Sequence, residues 1–126
     1  MSFQQNKFEK FLSLLDQYSP QDGPNLTSNK NFATFKASTT QSRKPMVERS
    51  AIWIVGQGQK FCYVGDKKYD YSPGIVMVLF FPTPLEFEVV KASHESPFLT
   101  AGVAIDMGRL ADVLLKLDRL DGAPAK

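Results

Sequence analysis

Catalysis by a metal, a thiolate or an imidazole base would have to start here from His94 and Cys62, each the only residue of its type among 126. A transition metal takes about four to six ligands, and a metal-binding barrel gathers several histidines with a carboxylate. One histidine cannot supply that set. His94 lies in the hydrophilic connector His94-Glu95-Ser96-Pro97, where a solvated loop position is the simpler reading. Cys62 stands between Phe61 and Tyr63, and a reactive thiol needs a base or a positive charge beside it, so it reads as a small packing residue. There is no G-x-S-x-G elbow and no phosphate-binding loop, and Gly56-x-Gly58 lacks the third glycine and following helix of a dinucleotide fingerprint. The expectation is a protein with no catalytic residue, no metal and no cofactor.

Ligand binding is better supplied. Trp53, Phe61, Tyr63 and Tyr71 offer large apolar surfaces, and tyrosine adds a hydroxyl that can fix a polar group. They fall in a stretch of short segments rich in β-branched and aromatic residues, divided by glycine and proline. These read as strands at 32–37, 50–55, 60–64, 68–71, 75–81, 85–92 and 98–105. Such spacing favours an antiparallel sandwich or small barrel over a parallel α/β sheet. If Gly56-Gln57-Gly58-Gln59 closes a hairpin, Ile54 faces Phe61 and Ile52 faces Tyr63, while Trp53 faces Cys62 on the other side. Both faces are then apolar, which predicts a sheet covered twice, by a barrel interior and by helices. The next turn has two registers. A two-residue Gly65-Asp66 turn puts Tyr69 and Tyr71 on the face of Cys62 and Trp53, whereas a three-residue Gly65-Asp66-Lys67 turn puts them with Phe61 and Tyr63. The longer turn is preferred because it keeps Lys68 and Asp70 off the aromatic face. Phe61, Tyr63 and Tyr71 then form one candidate binding set, and Trp53 belongs to the other face.

Two helices flank these strands. Phe8, Phe11, Leu12 and Leu15 recur at helical spacing and Ser19-Pro20 stops the pattern, which predicts a helix over about 3–18. Asp106 can cap a second helix over about 107–120, ended by Asp121-Gly122-Ala123-Pro124. It carries Met107, Leu110, Leu114 and Leu117 as a heptad-like seam, suited either to core packing or to a dimer contact. The expected organisation is one domain with its barrel at about 26–105. Fifteen Lys and Arg against thirteen Asp and Glu give a net charge of +2, with no basic cluster to follow a nucleic-acid backbone. The longest apolar run, residues 75–81, is far short of the roughly 20 residues of a spanning helix, and residues 1–20 hold no signal-peptide core. With a single cysteine, these features predict a cytoplasmic protein that touches neither membrane nor, by itself, DNA.

One pattern is more specific than any single motif. Gln57-Gly58-Gln59-Lys60, then Val64-Gly65-Asp66 and Tyr69-Asp70-Tyr71, resembles the "QG-x-K … GD-x-x-Y-x-Y" signature of the N-terminal domain of AraC-type bacterial transcription regulators. Ser42-Arg43-Lys44-Pro45-Met46, Pro82-Thr83-Pro84 and the run from Ala92 to Phe98 are similar to neighbouring family segments, in order from about Asp22 to Leu117. The resemblance implies a cupin-like antiparallel β-barrel with flanking helices that binds a small-molecule effector and forms a homodimer. A separate helix-turn-helix domain, absent from this chain, would reach DNA. Gln57, Gly58, Lys60, Gly65, Asp66 and Tyr69 carry the motif but read as structural, since glycine serves turns and short polar side chains pair near them. A free-standing cupin-like binding protein is the alternative reading, and a cupin enzyme the weaker one.

Overall fold

The structure, a computed structural model, describes residues 3–120; the helix-ending turn expected at residues 121–124 lies outside them. Helix α1 (Phe3–Gln17) precedes nine strands and helix α2 (Met107–Leu120) follows them. The strands are β1 (Gly23–Leu26), β2 (Phe32–Ala37), β3 (Gln41–Glu48), β4 (Ala51–Gln57), β5 (Gln59–Val64), β6 (Lys67–Tyr71), β7 (Val76–Leu79), β8 (Thr83–Lys91) and β9 (Phe98–Ala104). All pairings are antiparallel, in two sheets ordered β1-β2-β9-β4-β7 and β3-β8-β5-β6. Setting aside β1, these are two four-stranded sheets joined as a double Greek key, the jelly-roll architecture shared by cupins. The cupin-like barrel expected from the sequence is therefore the fold.

Period-two burial explains why the sheets close on each other. Along β8, Leu85, Phe87 and Val89 are buried, while Glu86 and Glu88 alternate with them on the outer side. Across the barrel they meet Ala37, Val55, Met77 and Phe98 in one core cluster that also includes Cys62.

The expected hairpin between β4 and β5 does not form. Both edges of β4 are occupied, by β7 and β9, so β5 has no edge to join and instead pairs with β6 and β8 in the opposite sheet. The chain changes sheets around Gly58, whose φ of +82° suits glycine. A Cβ there would also lie 2.6 Å from the Lys91 carbonyl oxygen and 2.8 Å from the Phe98 Cα, so close passage past neighbouring backbone demands glycine as well. The β5–β6 turn takes the two-residue form, with Val64 opposite Lys67 and Cys62 opposite Tyr69. The three-residue preference is thus corrected. Gly65, at φ +60°, supplies the positive φ that a tight hairpin turn needs, and Lys68 and Asp70 still fall outside because Tyr69 and Tyr71 move to the inner face.

Coverage of the outer faces is unequal. α1 lays Leu15, with Phe11 and Leu12, on Leu99, Ala101, Ile54 and Phe32 of the five-stranded sheet. α1 covers only part of this outer face, since Ile52, Val76, Val78 and Val103 on the same side remain exposed. Gly56 permits this approach: a Cβ on it would lie 2.5 Å from Leu15 Cδ2, so this glycine serves helix packing and not the turn expected of it. α2 is capped as predicted, the Arg109 amide donating to Asp106 Oδ1 at 3.1 Å, yet none of its residues is buried.

Leu15 is 3% exposed. Leu15→Ala is expected to lower stability by about 2–5 kcal/mol in chemical denaturation, and a loss below about 1 kcal/mol would show that α1 is not part of the cooperative core. Gly102→Ala places a methyl group 2.6 Å from the Trp53 ring carbons. It should cost about 1–3 kcal/mol and shift the emission of Trp53, the only tryptophan, in the same experiment.

Candidate functional site

The two sheets do not fill the space between them everywhere. Trp53 on β4 lies opposite Gly102 on β9, and its six-membered ring covers the place where a side chain at 102 would project. The missing side chain lets the indole lie flat against the strand and leaves room above it. That room is a cavity of about 180 Å³. Phe35, Phe98 and Thr100 line it beside Trp53 from one sheet, and Phe87, Lys60 and Met46 line it from the other. Its volume is close to that of a cavity that admits a benzene ring, about 150 Å³.

Its polar equipment is sparse and one-sided. The Trp53 Nε1–H is buried and has no acceptor. A buried donor left unpaired costs about 1–3 kcal/mol, which makes it a feature requiring explanation. Lys60 points inward because it shares the face of Cys62 and Val64, and its Nζ lies 5.8 Å from the centroid of the Phe87 ring. From the opposite side of β8, Lys44 Nζ lies 5.5 Å from the same centroid. Among the described residues no carboxylate pairs with either; the ion pair formed is Arg43 with Glu86 at 2.7 Å, on the outer face.

The four aromatic residues singled out from the sequence are divided by the structure. Trp53 is a wall of the cavity. Tyr71 is inside too, but at the other end of the barrel, in a recess of about 320 Å³ with Cys62, Tyr69 and Leu79, where burial raises its phenol pKa. Phe61 and Tyr63 lie on the outer face of the four-stranded sheet, because β5 alternates and Cys62 takes the inner side. There each ring is covered by a cation. The Arg43 guanidinium is 3.7 Å above Tyr63 and the Lys68 ammonium 3.9 Å above Phe61. The Tyr63 hydroxyl donates to Glu88 Oε1 at 2.8 Å, and that carboxylate holds the phenol pKa above its usual value. The double coverage expected for this sheet is therefore replaced by a polar surface in which cations shield the two rings.

Most motif residues act on the backbone. Gln57 Nε2 donates to the Pro97 carbonyl at 2.8 Å, tying the sheet crossing to the start of β9. Gly58 and Gly65 hold positive φ, Asp66 sits exposed in the β5–β6 turn, and Tyr69 is 42% exposed at the rim of the far recess. Lys60 alone enters the cavity. His94 is exposed in its loop, and among the described residues no three His, Cys, Asp or Glu side chains cluster as metal ligands would. No helix is long and apolar enough to cross a membrane. On α2, Met107, Leu110, Leu114 and Leu117 are all exposed, between 39% and 58%.

Sequence reasoning missed Phe35, Phe87, Phe98, Thr100 and Lys44. Phe87 was marked by its position between Glu86 and Glu88, and Gly102 by being a glycine inside a strand, a sign of close approach. The others depend on pairings between distant strands, which no local pattern carries.

Solved structures with a similar overall shape include a cupin-2 domain protein from Shewanella frigidimarina NCIMB 400, 14% identical, TM-score 0.47, covering 78% of this chain and 92% of that one. Drosophila melanogaster CENP-C bound to CAL1 is 10% identical, TM-score 0.47, with 79% and 98% covered. An HTH_3 family transcriptional regulator from Vibrio cholerae is 14% identical, TM-score 0.39, with 79% and 62% covered. No curated protein matches the sequence. The model of the AraC-type transcriptional regulator N-terminus matches residues 29–126, most of the sequence, and the chain therefore belongs to that family of regulatory N-terminal domains.

Proposed function

We propose that this domain senses a small molecule held between its two sheets and presents itself as a homodimer, so that occupancy controls a DNA-binding domain carried by the same regulator in the cytoplasm. The observation that carries the reading is the cavity itself: an apolar, ring-sized space walled by the only tryptophan, whose buried N–H has no acceptor. Binding pockets combine apolar walls with a few placed polar groups, and this one has both. Control of DNA binding then requires that the ligand bind one arrangement of the domain more tightly than another.

For the dimer, the partner is a second copy of this chain. α2 carries a seam of Met107, Leu110, Leu114 and Leu117 over two heptads and buries none of it within its own chain. A helix with an apolar stripe and no core to face is stabilised by another such helix. Its basic last turn, with Arg119, suits the negative end of the helix dipole and leaves the seam apolar.

Two experiments test this reading. Benzyl alcohol, a ring-sized neutral probe, should change Trp53 emission saturably and raise the melting temperature with concentration, as a ligand of the folded state must; a linear emission change without stabilisation would refute the cavity as a binding site. Sedimentation of the protein should show a dimer that Leu110→Asp with Leu114→Asp converts to monomer at unchanged circular dichroism. A monomer in the parent protein, or a dimer surviving both substitutions, would remove α2 from the assembly.

A further inference from the structure

We propose that the ligand of this cavity is a monocarboxylate with a compact apolar body, about one aromatic ring in size, its carboxylate held by Lys60 beside Phe87. The inference rests on the reading of the cavity as the effector site and adds the charge of the effector. Two donors line this space and lack acceptors among the described residues: the buried Trp53 indole N–H and the Lys60 ammonium, 5.8 Å from the Phe87 centroid, while the exposed Lys44 adds a second positive charge 5.5 Å from the same ring. Lysine and indole nitrogens donate and cannot accept. A ligand bearing only donors would leave both unsatisfied. Among the described residues the cavity wall holds no carboxylate to offset the Lys60 charge.

An anion answers each of these demands at once. Charge-assisted hydrogen bonds from an ammonium to a carboxylate are roughly twice as strong as neutral ones, and low-dielectric walls such as Phe35, Phe87 and Phe98 strengthen them further. The remaining walls bound the rest of the molecule. A space of about 180 Å³ lined by three phenylalanines and Met46 accepts one apolar ring and would leave most hydroxyls of a sugar without partners. Inorganic phosphate, lacking an apolar body, leaves that volume unfilled.

The test compares benzoate with benzyl alcohol on the intact protein, read by Trp53 emission and by thermal stabilisation. Benzoate should bind at least tenfold more tightly than the alcohol, its affinity should fall with added salt, and phosphate should not compete at equal concentration. Lys60→Met should erase the tenfold preference while leaving the alcohol's affinity within about twofold. Should Lys60→Met fail to fold, Lys44→Met, at an exposed position, should lower benzoate affinity several-fold without changing the alcohol's. Saturable binding of the alcohol with no preference for benzoate would overturn the proposed charge and leave the cavity reading intact. Binding of neither would overturn both, and displacement of benzoate by phosphate would show that the lysines form an anion site independent of the apolar walls.

Discussion

The close approach of Trp53 to Gly102 is the contact on which the interior depends. Neighbouring strands bring residues directly opposite each other, and a side chain at 102 would force the indole upward into the space between the sheets. With glycine there, the largest side chain of the chain lies flat on its own sheet. Beside it the two sheets leave an open-sided pocket of about 180 Å³, and the buried indole N–H has nothing to bond. Protein interiors are packed like organic crystals, so a void of this volume with an unsatisfied donor is a departure that needs a ligand or a cost to account for it.

From this arrangement follows the difference between the two sheets. The sheet that carries Trp53 is backed in part by α1, whose Leu15 reaches Gly56 from outside and packs with Ile54 of β4. The opposite sheet has no helix behind it. Its outer aromatics, Phe61 and Tyr63, are shielded by Lys68 and Arg43, and exposed contacts of that kind contribute only about 0–1 kcal/mol each.

How much of this was legible in the sequence depends on whether a feature is local. The α1 pattern of Phe8, Phe11, Leu12 and Leu15, the Asp106 cap and seven of the nine strands came from spacing and punctuation, whereas β1 and β3 were not among the strands expected, and the jelly roll followed from many short strands together with the family resemblance. Strand pairing did not. Gly56 to Gln59 has the composition of a hairpin, but β4 already has β7 and β9 on its two edges, a fact that exists only after strands far apart in sequence have met. That error put Phe61 and Tyr63 beside the wrong partners, and one residue of register at Gly65-Asp66 placed Tyr71 on the wrong face. Trp53 was found because it is the one tryptophan, whereas Lys60 was passed over as a turn residue because its inward face is set by Cys62 two positions on.

The account turns on whether the Trp53 indole N–H looks into a ligand site, and nuclear magnetic resonance addresses that atom directly, since one tryptophan gives one indole N–H signal. Titrating benzoate into the labelled protein should move this signal saturably and in the direction of a newly formed hydrogen bond, together with the backbone amides of Gly102 and Thr100. An indole signal that stays fixed while other resonances shift, or that behaves as already hydrogen-bonded before any ligand is added, would contradict the account.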